Sequence, residues 1–229
     1  MESTQWCMVI FARKARCEAH RTRTLVCPNK MNPNQIPFNA LMVGPTNSGK
    51  TKYLVDLLSN EFRGKFDYVI LLCPTYTFNE TYRGFAEEDR DVFVLTPDQH
   101  HIDDWLRIVS FVFEETNSLI ILDDCAASRD VKKRTNELVN LAFSARHKGL
   151  SVWVITQQMT SISKPFRENI AALVLFYTPS RKDMKEIFDD YGGGLTSDEK
   201  LRLLRELKGN KYSKLIFSLR HPFEINVEY

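Results

Sequence analysis

The chain has 229 residues, 43% of them apolar, which is enough for one large α/β domain with a real core and too apolar for large-scale disorder. Its net charge of +2 hides an asymmetry: residues 1–35 carry six basic side chains (Arg13, Lys14, Arg16, Arg21, Arg23, Lys30) against Glu2 and Glu18, leaving that segment at +4 and the remainder at −2. No run approaches the roughly 20 apolar residues of a membrane span, and the short apolar stretch Trp6–Ala12 follows an acidic rather than a basic start, so neither a membrane-spanning nor a secreted class fits.

Residues 1–36 show no sustained period, and Pro28, Pro33 and Pro37 interrupt their end. They read as a basic arm or irregular edge element ahead of a domain covering residues 37–229. A basic arm suits a polyanionic partner, and an ordinary solvated tail is the equal alternative. Cys7, Cys17 and Cys27 lack the close pairs that zinc sites use, and five cysteines make an odd count, so free thiols in a reducing compartment are expected.

The domain begins with a buried strand at Ala40–Val43 that feeds into Gly44-Pro45-Thr46-Asn47-Ser48-Gly49-Lys50-Thr51. Glycines at the ends of this loop let backbone amides curl around a phosphate, at the start of a helix whose stripe is Leu54, Leu57 and Leu58. In such a P-loop all eight residues cradle the nucleotide, Lys50 reaches the β- and γ-phosphates, and Thr51 holds Mg²⁺. Residues 68–73 then read as a second buried strand ended by Pro74, the polar and aromatic stretch 75–90 as a loop, and residues 92–95 as a short strand. Trp105, Ile108, Val109 and Val112 predict an amphipathic helix over 103–115 that leads into the strand Leu119–Leu122.

A further helix carries Val131, Leu138, Ala142 and Ala145 on one stripe, with Lys132, Lys133, Asn136 and Asn140 on the wet side and Gly149 at its end. Strands follow at 152–155, 171–177 and 215–219, with helices at 180–191 and 196–208 between the last two. Thr178-Pro179 reads as the cap and first-turn proline of the former, and Thr196-x-x-Glu199 as the capping box of the latter. Apolar strands alternating with amphipathic helices predict a mostly parallel sheet covered on both faces, with ligands at the carboxyl ends of its strands.

Two more segments complete a candidate site. Leu119-Ile-Ile-Leu-Asp123-Asp124 has the form of a Walker B element: Asp123 is the candidate for the Mg²⁺ shell and Asp124 for polarising the attacking water. The strand 151–156 ends in Gln157-Gln158, and beside the P-loop strand it would carry Gln157 to the γ-phosphate as a sensor. Upstream, Arg146 stands in Ala145-Arg-His-Lys-Gly149. Basic residues there also favour the helix dipole, while an arginine finger reaching a neighbouring subunit's γ-phosphate is the functional reading, with Arg129 and Arg134 as competitors.

The P-loop, the Walker B strand and the run from Ala145 to Gln158 together resemble the DNA-packaging ATPases of large double-stranded DNA viruses, the poxvirus-type members of the FtsK–HerA group. The resemblance covers about residues 37–219. It implies a P-loop NTPase fold of the RecA/ASCE type and ATP hydrolysis with Mg²⁺, with Lys50, Asp124, Gln157 and Arg146 as catalytic residues. It also implies a homo-oligomeric ring of about five or six subunits that threads duplex DNA into a capsid at a portal vertex, in host cytoplasm, viral factory or virion. Residues 1–36 match nothing in that family, and many of its hydrolysing relatives have Glu where Asp124 stands. A translocase or helicase outside packaging, and an ATP-gated DNA-binding scaffold with little turnover, are the alternative readings.

Overall fold

The computed structural model describes residues 31–88, 91–125, 136–221 and 223–229. Eight strands form one sheet: β1 (Ala40–Val43), β2 (Tyr68–Leu72), β3 (Val92–Leu95), β4 (Ser118–Asp123), β5 (Leu150–Thr156), β6 (Ala172–Phe176), β7 (Lys214–Ser218) and β8 (Glu224–Glu228). Their order is β3-β2-β4-β5-β1-β6-β7-β8, and β1 to β6 run parallel while β7 and β8 close one edge antiparallel. The mostly parallel α/β sheet expected from the sequence is therefore what the chain forms.

The described α-helices are α1 (Lys50–Ser59), α2 (Glu80–Glu88), α3 (Ile102–Val112), α4 (Glu137–Ser144), α5 (Lys164–Arg167), α6 (Arg181–Tyr191) and α7 (Ser197–Gly209). Side chains alternate across the sheet with a period of two, and this sorts the core into two clusters. Leu41, Val43, Ile120 and Leu122 face α3, α4 and α6, while Ala40, Met42, Leu119 and Ile121 face α1 and α2. Counting on from Leu119 and Ile121, Asp123 falls on the α1 and α2 side, a parity that decides its partners. On that side Trp153 lies edge-on to Phe62 at 5.0 Å and anchors a cluster with Phe38 and Phe66.

Four local expectations change. The stretch 75–90 is not all loop, because α2 forms within it, capped by Asn79 Oδ1, which accepts from the Tyr82 amide. Helix α6 is capped not at Thr178 but at Ser180, whose hydroxyl accepts from the Asp183 N–H, with Thr178 Oγ1 accepting from the Ser180 N–H. Asn136 is buried rather than wet, since its side chain caps α4 by accepting from the Val139 N–H. Strand β8 was not expected. The Thr196–Glu199 capping box is present, and Gly149 adopts φ 74° where the chain turns from α4 into β5. Residues 1–30 of the expected arm over 1–36, Arg129, Arg134 and the Lys132-Lys133 pair lie outside the described residues.

Candidate functional site

Strand β1 pairs with β5 on one side and β6 on the other, and β5 pairs with β4. Val43 is level with Thr156, and Asp123 with Ile155, so three carboxyl strand ends converge at one rim. The Gly44 N–H donates to the Thr156 carbonyl at 3.2 Å, which ties the start of the P-loop to the residue before Gln157. Gln157 is exposed there. The strand end that carries Gln157 thus lies beside the start of the P-loop.

The P-loop's glycines have separate physical reasons. A Cβ on Gly44 would stand 2.6 Å from Phe176 Cβ and 2.8 Å from Ser48 Oγ, so close packing against β6 excludes one. Gly49 caps α1 at φ 94°, a left-handed geometry that favours glycine. Lys50 is buried and closes the loop on itself, its Nζ donating to Gly44 O at 2.7 Å and Pro45 O at 2.8 Å. Burial lowers its pKa, opposed by the charges of Asp123 and Asp124. Among the described residues the buried hydroxyl of Ser48 has no hydrogen-bond partner, as a cradle awaiting an acceptor would leave it.

Asp123 is 5% exposed. One carboxylate oxygen accepts from the Tyr82 hydroxyl at 2.7 Å and the other from the Asp124 N–H at 2.9 Å. Burial still pushes its pKa up to about 6. Tyr82 is 1% exposed, and its phenol is held well above its ordinary pKa by burial and by Asp123, so it remains a donor. Asp124 turns out of the strand at φ 55°, which aspartate tolerates. Its carboxylate is exposed and accepts from Thr75 Oγ1 at 2.8 Å, and its carbonyl accepts from Gln99 Nε2 at 3.0 Å.

Thr51 and Asp123 suit a hydrated Mg²⁺, which takes one or two protein oxygens and fills its shell with water and phosphate. Among the described residues no group of three or more His, Cys, Asp or Glu could hold a metal ion by itself. Beside α1 lies a cavity of about 510 Å³ lined by Gly49, Lys52, Tyr53, Asp56, Tyr212 and Lys214, among others. The half-exposed Tyr212 ring comes within 3.1 Å of where a Gly49 Cβ would be.

Arg146 does not join this group. It is exposed in a 3-10 turn at Ala145–Lys148, ahead of β5, whose seven residues separate it from Gln157 by about 20 Å. Arg220, which donates to Gln35 O and Pro37 O at the amino rim of the sheet, has its pKa lowered by its own burial and then by the charge of Arg146. Thr75, Tyr82, Gln99 and Tyr212 are site residues that sequence reasoning missed. Thr75 alone had a signal, since it follows the Pro74 that ends a buried strand at the ligand-binding rim.

The family described as Poxvirus A32 protein matches residues 29–216. DNA packaging protein OPG160 of vaccinia virus (strain Western Reserve) is 24% identical over 157 residues, 65% of this chain and 56% of that protein. The variola virus protein of the same name is 24% identical over 151 residues, 62% and 54% of the two chains. The chain thus spans about half the length of the curated relatives it matches. Among solved structures, the genome packaging NTPase B204 from Sulfolobus turreted icosahedral virus 2 with ATP-γ-S superposes at TM-score 0.61 and 18% identity, covering 87% of this chain and 98% of that one. The pCW3 conjugation coupling protein TcpA with ATPγS gives 0.53 and 14%, covering 82% and 59%. At these identities the structural likeness shows the fold alone, a mostly parallel α/β sheet.

Proposed function

This chain belongs to the Poxvirus A32 protein family, and from that premise we propose that it is an ATP-hydrolysing motor that translocates double-stranded viral DNA into a capsid. The observation that carries the reading is the convergence of Lys50, Asp123, Asp124 and Gln157 at the rim where β1, β4 and β5 end. In phosphoryl transfer the protein mainly positions groups and stabilises charge, and these side chains are the kinds required. The backbone amides of the P-loop and the Ser48 hydroxyl receive the phosphates, and the Lys50 ammonium leaves the carbonyls of Gly44 and Pro45 for the β- and γ-oxygens. The Thr51 hydroxyl and the Asp123 carboxylate would hold Mg²⁺, which would supply positive charge against the phosphate oxygens. Asp124, steadied by Thr75, takes the proton of the attacking water, and Gln157 orients that water or bonds the γ-phosphate.

The base and ribose fit the cavity beyond Gly49, with the Tyr212 ring as a stacking face. Arg146 can act only between copies, because it stands at the opposite rim of its own sheet. A ring of such chains would bring it to a neighbour's γ-phosphate. The partners of this reading are duplex DNA, further copies of the chain and a capsid or portal vertex. Its compartment is the host cytoplasm or viral factory, and no helix among the described residues is long and apolar enough to cross a membrane.

The test is steady-state ATP hydrolysis titrated with duplex DNA. The reading expects turnover that duplex DNA stimulates and that Lys50→Ala abolishes. ATP binding without DNA-stimulated turnover would favour a nucleotide-gated scaffold instead.

A further inference from the structure

Helices α6 and α7 sort their charges along their axes. Helix α6 starts just past the carboxyl end of β6, and α7 ends just before β7, whose Lys214 is level with Phe176 at that same end. Strand β6 is also the neighbour of β1, so both helix ends stand at the rim that carries the P-loop. Arg181, Lys182 and Lys185 occupy the start of α6, Lys208 the end of α7 and Lys211 the turn after it, and all five are exposed. The acids Asp189, Asp190, Asp198 and Glu199 fall at the far ends of the two helices, toward the amino rim. Asp183 is the acid in the first turn of α6, and it is buried. Glu186 and Asp190 are held by Arg167 at 3.0 and 3.1 Å. Among the described residues the side chains of Arg181, Lys182 and Lys185 have no hydrogen bond or ion pair. Arg181 and Lys182 moreover sit in the first helical turn, where the dipole disfavours cations. Helix stability therefore does not account for them, and the self-repulsion of such a patch is relieved by a polyanion.

We propose that this basic rim, centred on Arg181, Lys182 and Lys185 at the start of α6, grips the phosphate backbone of duplex DNA. The proposal rests on the duplex-DNA partner of the reading above and adds the surface that meets it. Long cationic side chains of this kind read phosphate charge and not base sequence, as a contact with a duplex that slides past requires. The place of the grip also ties it to the chemistry. Helix α6 packs against the 3-10 turn Met159–Ser161, which follows Gln157-Gln158. In that turn Ser161 Oγ donates to the Gln158 carbonyl at 2.6 Å and shares a 2.7 Å bond with Thr156 Oγ1, and the Thr156 carbonyl in turn accepts from the Gly44 N–H. One short turn thus separates the gripping helix from the strand end that carries Gln157 and abuts the P-loop.

The experiment compares the full chain with the triple variant Arg181→Ala/Lys182→Ala/Lys185→Ala. A control variant, Arg63→Ala/Lys65→Ala/Lys148→Ala, removes the same charge from the amino rim, where these residues precede β2 and β5. Binding of a fluorescent duplex of mixed sequence is followed by anisotropy from about 50 to 300 mM NaCl, and binding of a fluorescent ATP analogue is measured alongside. Each phosphate contact contributes about 0.9 to the slope of log affinity against log salt. The α6 variant should therefore lose between about one and three from that slope and about tenfold or more in duplex affinity at 100 mM NaCl. Its affinity for the ATP analogue and its thermal midpoint should match wild type, and the control should keep the wild-type slope. A slope unchanged in the α6 variant, or lowered equally in the control, overturns the assignment of this surface while leaving DNA binding standing. Loss of ATP-analogue affinity in the α6 variant also overturns it, because the cations would then serve the nucleotide. Wild-type protein that does not bind the duplex at 50 mM NaCl overturns the DNA reading itself, and the surface with it.

Discussion

Replacing Asp123 by Asn should make the ligand-free protein more stable. The carboxyl is almost fully buried, and burial raises its pKa from 3.8 to about 6 even though Tyr82 and the Asp124 amide both donate to it. Between about pH 4 and 6 the folded chain therefore keeps a proton that the unfolded chain has lost. Stability falls as pH rises through that window and stays lower above it. The difference between the two pKa values corresponds to about 3 kcal/mol at pH 8. Asn keeps an acceptor for the Tyr82 hydroxyl without the buried charge, so it should recover most of that. For a domain of this size the gain is on the order of 5 to 10 °C in Tm. The assay is thermal unfolding of both proteins in EDTA from about pH 4 to 8. The gap should be near zero at the acid end, open by pH 6 and then remain constant. A variant no more stable than wild type at pH 8, or a gap that does not change between pH 4 and 6, would refute the reasoning.

Gly149→Ala should cost about 2 to 3 kcal/mol, read as a lower Tm, because φ 74° disfavours a side chain and its Cβ would stand 2.8 Å from the Thr116 carbonyl oxygen. Tyr212→Ala should weaken ATP binding about tenfold in equilibrium titration while barely changing affinity for inorganic triphosphate, and equal losses for both would remove Tyr212 from the base site. Arg146→Ala should bind ATP normally and hydrolyse it at least about a hundredfold more slowly. Mixing it with Lys50→Ala should restore activity at interfaces that pair an intact P-loop with an intact arginine. Mixed assemblies as inactive as either parent would dismiss a role between subunits.

Much of this arrangement was legible in the sequence because it depends on local signals. The apolar runs of β1, β2, β4, β5 and β6 can only be strands buried on both faces. The P-loop, the Asp123-Asp124 pair and Gln157 each follow such a run, so their common rim follows from parallel topology. What escaped notice depends on tertiary contact. Helix α2 carries only Tyr82 and Phe85 as large apolar residues and has Gly84 in its middle, so no stripe announces it. Its stabilising contact is a phenol inserted between α1 and β4. Strand β8 shows the alternation Glu-Ile-Asn-Val-Glu of a half-buried edge strand, a pattern present but short. Asn136 looked like a wet-face residue because a cap and a surface asparagine read alike until the helix start is known. Tyr212 lies in a turn between α7 and β7, and only the antiparallel return of β7 along β6 brings it to Gly49.

The claim that this chain is a motor meets its most direct test in the displacement of a third strand from a triplex-tailed duplex. The account predicts that wild-type protein displaces the strand with ATP and Mg²⁺, and fails to do so with a non-hydrolysable analogue. It predicts that Asp124→Asn binds ATP and duplex yet displaces nothing. ATP hydrolysis by wild-type protein at a rate indifferent to duplex DNA, with the third strand left in place, would contradict it.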